Sequence, residues 1–194
     1  GPAIVATGLS GTETLSNVSI VGGATGLTLS GLAGTMNVAG GLISGVTGTD
    51  VLISGGTGTL VIGSAITNTA GRSIDVQGRT AGTITFAGAI ADSGQGIFLA
   101  GNTGSTIAFI GGLALSTGIN DAFTAIGGGT VTATQDNTLV LNTLSTTSGT
   151  PLRIVNTEIG AAGLAFPHPD GGSATYQVVL GGRRTILEIG TAPI

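Results

Sequence analysis

A short phrase returns along this chain at a nearly fixed interval, and no other feature restricts the possible folds so strongly. A Gly-Thr step, or Ser105-Thr106 in one instance, leads into alternating side chains. The copies are Thr35-Met36-Asn37-Val38, Thr59-Leu60-Val61-Ile62, Thr83-Ile84-Thr85-Phe86, Thr106-Ile107-Ala108-Phe109 and Thr130-Val131-Thr132-Ala133, with a weaker one at Thr12-Glu13-Thr14-Leu15. The marker threonines 12, 35, 59, 83, 106 and 130 stand 23 or 24 residues apart. A rhythm of that length belongs to stacked coils, each burying its apolar face against its neighbours.

Every coil divides into three short strands. From Gly26 these are Leu27-Thr28-Leu29, Met36-Asn37-Val38 and a third centred on Leu42-Ile43. One period later come Val51-Leu52-Ile53, Leu60-Val61-Ile62 and Ala65-Ile66, and after them Ile74-Asp75-Val76, Ile84-Thr85-Phe86 and Ala89-Ile90. The next sets are Ile97-Phe98-Leu99, Ile107-Ala108-Phe109 and Leu113-Ala114-Leu115, then Phe123-Thr124-Ala125, Val131-Thr132-Ala133 and Leu139-Val140-Leu141. Strand side chains alternate faces, so Leu27, Leu29, Val51, Ile53, Ile74, Val76, Ile97 and Leu99 are expected inside. Thr28, Asp75, Thr124, Asn37, Thr85, Ala108 and Thr132 are expected outside. Phe86 is expected to stack on Phe109 one coil later, at the strand spacing of roughly 4.8 Å.

The ends depart from the rhythm. Glu13 falls in an inward column, so the first coil, Ile4 to Ile20, is expected to fray or to continue from upstream sequence. The opening Gly1-Pro2 resembles the scar of a protease cut, which places any native targeting signal elsewhere. Beyond Leu141 two irregular turns follow, Leu152-Arg153-Ile154 with Ile159 and Leu164-Ala165-Phe166, then Tyr176-Gln177-Val178 with Thr185-Ile186-Leu187-Glu188-Ile189. Pro167-His168-Pro169-Asp170-Gly171-Gly172 reads as a surface loop, because its prolines cannot serve a central ladder. The expectation is one all-β domain over residues 1–194, regular over 3–148 and irregular over 149–194, with seven to eight coils. The irregular part is expected to be a cap or an assembly surface.

Composition excludes several jobs. The net charge of −4 comes from nine carboxylates and five arginines without lysine, so the chain has no basic stripe to neutralise phosphates, and no nucleic-acid partner is expected. Arg183-Arg184 is its only adjacent basic pair and reads as a solvated edge or a partner of Glu188. The absence of cysteine removes thiolate catalysis, cysteine-ligated metals and disulfides. No apolar run is long enough to span a bilayer as a helix. Glycine clusters such as Gly55-Gly56-Thr57-Gly58, Gly101-Asn102-Thr103-Gly104 and Gly127-Gly128-Gly129 turn corners. They lack the following helix and the Gly-Lys-Ser/Thr ending of a phosphate loop.

Three strands per coil, apolar columns and a period of 23–24 residues match a right-handed parallel β-helix, a β-solenoid. The phrases Gly-Thr-Ile-Thr-Phe, Gly-Leu-Thr-Leu-Ser and Gly-Gly-Leu-Ala-Leu-Ser-Thr-Gly resemble repeats of large secreted bacterial surface proteins, among them autotransporter passengers and filamentous-haemagglutinin-like adhesins. The resemblance covers most of residues 12–166. It implies a non-enzymatic structural or adhesive rod, extracellular or on the bacterial cell surface. Its partners would be a host or cell-surface glycan or protein, or further copies through the solenoid ends. It brings no catalytic, cofactor-binding or metal residues, and none are assigned; no cofactor is expected.

The alternative is a carbohydrate-active or carbohydrate-binding β-helix, which would need clustered carboxylates within about 5 to 10 Å of each other. Asp75 holds an outward slot, but its coil neighbours Leu52 and Phe98 are apolar; Asp50, Asp92, Asp121 and Asp136 are expected at turns. With one Tyr and no Trp the chain has few rings to stack on sugars. His168, the only histidine, lacks partner ligands for a metal or a nucleophile to activate. Calcium is unsupported, since Gly55 to Leu60 lacks the required aspartate. Thr83-x-Thr85 and Thr130-x-Thr132 have the spacing of an ice-binding lattice, interrupted by Asn37, Val61 and Ala108.

Overall fold

The computed structural model describes residues 1–135 and 141–166 and the backbone of Gln177–Val179. The described chain is all-β: three parallel sheets stacked as a β-solenoid with three strands per coil. The first sheet has eight strands, from Pro2–Thr7 through Leu152–Val155 to Gln177–Val179; the second has seven, from Thr12–Leu15 to Glu158–Leu164; the third has six, from Val18–Val21 to Asn142–Ser145. Six described coils are therefore complete, a seventh has two strands, and Gln177–Val179 opens an eighth.

Register follows the repeat. Leu27 pairs with Val51, Val51 with Ile74, Ile74 with Ile97 and Ile97 with Phe123. Met36, Leu60, Ile84, Ile107 and Val131 make the matching row in the second sheet. All ten of these side chains are buried in one continuous core. Phe86 and Phe109 stack with centroids 5.0 Å apart and planes 9° apart. Phe109 meets Phe123 edge-on at 5.4 Å, and Phe123 meets Phe166 at 6.1 Å. The rings thus form a relay through the later coils, the offset and edge contacts that aromatic pairs prefer.

The Gly-Thr phrase has a structural cause. At the corner before the second sheet, the marker threonine amide donates to the carbonyl of the corner residue one coil earlier: Thr35 to Gly11, Thr59 to Gly34, Thr106 to Gly82 and Thr130 to Ser105. Neighbouring corners approach so closely that a Cβ on Gly58 would run into the Gly34 carbonyl oxygen. Replacing Gly58 by alanine should cost about 2 kcal/mol by overpacking and lower the thermal midpoint by about 6 °C. Gly40→Ala, where a Cβ meets open space, is the control for a thermal melt, and equal midpoints for the two variants would remove this explanation of the repeat.

Four expectations need correction. The third strand of the sixth coil is Asn142–Ser145, pairing with Leu113–Ser116, and Leu141 lies exposed outside it; Leu139 and Val140 fall outside the described residues. Asn142 takes the inward place that an apolar residue was expected to hold, fixed by bonds from its carboxamide to Thr134 O and Ala165 O and from the Leu113 amide to its Oδ1. Second, Thr124 and Thr132 point outward yet are buried. Thr132 is covered by Gly160, where the Glu158–Leu164 strand departs from simple register. Third, Asp50 and Asp92 are strand residues with 0% and 2% exposure, not turn residues. Fourth, the first coil is not frayed: it forms all three strands, and Glu13, in register with the inward Met36 as the column predicts, stays exposed. Thr185 to Ile189 and the loop Pro167 to Gly172 lie outside the described residues.

Candidate functional site

Two kinds of polar site emerge, one sealed inside the corners and one open on the outside. The sealed site forms where the third sheet turns into the first. Strand alternation fails there, because the bend turns two consecutive residues inward: Asp50 with Val51, and Ser73 with Ile74, are all buried. Asn68 Nδ2 donates to Asp50 Oδ2 at 2.6 Å. The amides of Ser73 and Gly94 donate to the two oxygens of Asp92 at 2.9 and 2.6 Å. Asp50 Oδ1 has no partner among the described residues. Burial pushes the Asp50 carboxyl up from 3.8 to about 7; the Asn68 bond opposes that rise and the nearby Asp92 charge adds to it. With both Asp92 oxygens tied to backbone amides and Asp50 Oδ2 tied to the Asn68 carboxamide, these buried carboxyls hold the corner together.

At the corner between the first and second sheets, Arg79 is fully buried. Its guanidinium donates to the carbonyls of Leu32 at 3.4 Å, Gly55 at 2.8 Å and Ala81 at 3.4 Å, and also to that of Gly58. Burial lowers its pKa, but a guanidinium remains protonated in proteins. It joins carbonyls from three successive coils. Glycine at 56 gives it room, since a Cβ there would come within 2.8 Å of Nη1.

The open site is a groove of about 220 Å³ on the outer face of the first sheet, lined by Arg72, Gln95, Phe98, Asn120, Asp121, Thr124 and Arg153. Register builds it: the outward positions Asp75, Phe98, Thr124 and Arg153 lie side by side on four adjacent strands. The Arg72 guanidinium carbon sits 5.1 Å from the centre of the Phe98 ring, a cation–π contact, with its Nε 3.9 Å from Asp75 Oδ2. Gln77 Nε2 donates to Asp75 Oδ1 at 2.7 Å, which occupies that carboxylate beside the groove. Asp121 Oδ1 accepts from the Thr150 amide at 2.8 Å, and Asn120 Nδ2 donates to Gly94 O at 3.0 Å. The arrangement can hold an anion by hydrogen bonding.

The sequence pattern set Asp75 beside Leu52 and Phe98; Arg153 lies two strands beyond Phe98 in the same outward column. Of the other residues considered, Asp121 lines the groove, Asp50 and Asp92 are buried, and Asp136, His168, Arg183, Arg184 and Glu188 lie outside the described residues. The marker threonines 12, 35, 59, 83, 106 and 130 do form one column on the second sheet, the first four exposed and the last two half-buried. The parallel column runs Thr14, Asn37, Val61, Thr85, Ala108 and the covered Thr132, so a paired hydroxyl lattice is not continuous. Among the described residues no three His, Asp or Glu side chains gather as a metal site, and no helix is long and apolar enough to cross a membrane. Comparison with known protein families, with curated proteins and with solved structures returns no match.

Proposed function

We propose that this chain is a non-enzymatic segment of a bacterial extracellular or cell-surface protein, a stiff rod that serves as scaffold and adhesive surface. The observation that supports this reading is the parallel register of the three sheets, carried from coil to coil with one shift, where Thr130–Ala133 meets Glu158–Leu164. Backbone hydrogen bonds run along the stack from coil to coil, and one core threads it, so bending would have to open ladders and packing together. Seven spacings in the eight-stranded sheet correspond to roughly 34 Å of rod. Polar groups inside the stack are spent on the corners, as with Arg79, Asp50 and Asp92. An antibody raised against this segment should label intact cells of the source bacterium. Small-angle scattering from the full-length protein should give the cross-section of a single coil stack. Cleavage of any member of a polysaccharide panel, or labelling only after cells are broken, would overturn the reading.

The carbohydrate-binding alternative has one observation of its own, the groove. Binding through that groove is compatible with a rod that adheres, and the two readings then describe one molecule.

A further inference from the structure

Arginine is scarce here, and its placement is uneven. Of the three arginines among the described residues, Arg79 is sealed in a corner, while Arg72 and Arg153 both line the same groove. The chain carries a net charge of −4, and among the described residues this groove is where two arginines line one site. Arg153 is exposed and has no hydrogen bond or ion pair to any described residue. Arg72 has a single loose ion pair at 3.9 Å, and its position over Phe98 limits the orientations the guanidinium can take. A guanidinium offers paired N–H donors in the geometry that a carboxylate accepts.

The rest of the lining narrows the ligand. Asp121 keeps one oxygen that accepts no hydrogen bond from a described residue, and a carboxylate at the rim repels a purely anionic chain while accepting well from hydroxyl groups. Gln95 and Thr124 add an amide and a hydroxyl to the wall. The volume, about 220 Å³, falls below the roughly 300–1,000 Å³ of sites for drug-sized molecules, so it suits a group of about one sugar ring. A ligand carrying one carboxylate among several hydroxyls fits both halves of that lining. An acidic peptide such as poly-glutamate offers Asp121 and Gln95 only backbone amides and no array of hydroxyls.

We propose that the groove binds a uronic-acid unit of an acidic polysaccharide, its carboxylate held between Arg72 and Arg153 and its hydroxyls by Asp121, Gln95 and Thr124. The proposal rests on the adhesive reading and gives that reading its partner.

Isothermal titration with a short oligogalacturonate at low salt tests it. Saturable binding is expected, weakening with added salt as exposed charges are screened. Arg153→Ala should weaken it about tenfold or more, the worth of one charge-assisted hydrogen bond, without changing the thermal midpoint, because Arg153 bonds to no described residue. Arg72→Gln should weaken it as well. The methyl-esterified oligomer, which keeps the hydroxyls and loses the charge, should bind at least tenfold more weakly, and poly-glutamate should do likewise. Equal binding of the methyl ester would show that the carboxylate is not recognised. Equal binding of poly-glutamate would reduce the groove to a non-selective cation patch, and an unaffected Arg153→Ala or no binding at all would remove the site. The scattering cross-section and cell labelling judge the rod separately, and none of these titration outcomes alters them.

Discussion

Arg79→Met is expected to lower the thermal midpoint on the order of 10 °C, from a loss of about 3–5 kcal/mol. The side chain is fully buried and reaches carbonyls of Leu32, Gly55, Gly58 and Ala81. In other coils the corner carbonyl accepts from the marker threonine above it, as Gly34 does from Thr59 and Gly82 from Thr106. At Gly58 the guanidinium performs that task. Methionine fills comparable volume but donates nothing; Leu32 O keeps the amides of Thr57 and Gly58, while the carbonyls of Gly55, Gly58 and Ala81 lose the guanidinium, and each one left dry costs about 1–3 kcal/mol. Arg79→Lys keeps the charge on a compact ammonium that cannot span the same set of acceptors, so it should recover only part of the loss. A thermal melt on both variants decides; a methionine variant within about 2 °C of the parent would mean that the buried charge costs as much as its bonds return.

The second large effect is a dependence on pH carried by Asp50. Its carboxyl titrates at about 7 when folded and at 3.8 when free, chiefly because it is buried. Below pH 3.8 it is protonated in both states and contributes no slope. Between 3.8 and 7 the unfolded chain gives up the proton while the folded chain keeps it, so stability falls as pH rises; above about 7 the loss is complete and the curve flattens. The slope is about 1.4 kcal/mol per pH unit, so the full loss is on the order of 4 kcal/mol at most. Asp50→Asn retains an acceptor for Asn68 and has no proton to lose. It should melt several degrees above the parent at pH 8 and approach it near pH 4. Parallel melting curves for parent and variant across that range would show that Asp50 does not ionise as its surroundings dictate.

Both groups lie where the sequence was hardest to read. Straight strands obey a period of two, and Leu27, Val51, Ile74 and Ile97 could be placed inside from that alone; so could the Phe86–Phe109 stack, because equal spacing puts equivalent positions on adjacent strands. Corners obey no such period. Asp50 precedes an inward valine, so alternation assigns it outward, and only the bend reverses that. Arg79, between Gly78 and Thr80, has the local appearance of a solvated turn; its partners are on three coils. Asn142 was hidden by length: the strand it begins pairs with Leu113 across 29 residues instead of 23 or 24. The groove was more accessible. Writing the outward column as Leu52, Asp75, Phe98, Thr124 and Arg153 sets the aromatic ring and the free guanidinium two strands apart, although Arg72, Gln95 and Asp121 come from the adjoining corner, which alternation does not describe.

The lengthened path from the second sheet to the third has a consequence for how such a molecule can vary. In the second and third coils two residues separate these strands, between Val38 and Gly41 and between Ile62 and Ala65, whereas eight, residues 134–141, separate Ala133 from Asn142. Pairing beyond the detour is undisturbed, with Leu115 still beside Leu144. Extra sequence can therefore be grafted at this vertex without retuning the ladders. The same freedom lets one scaffold acquire new appendages while its spine stays constant.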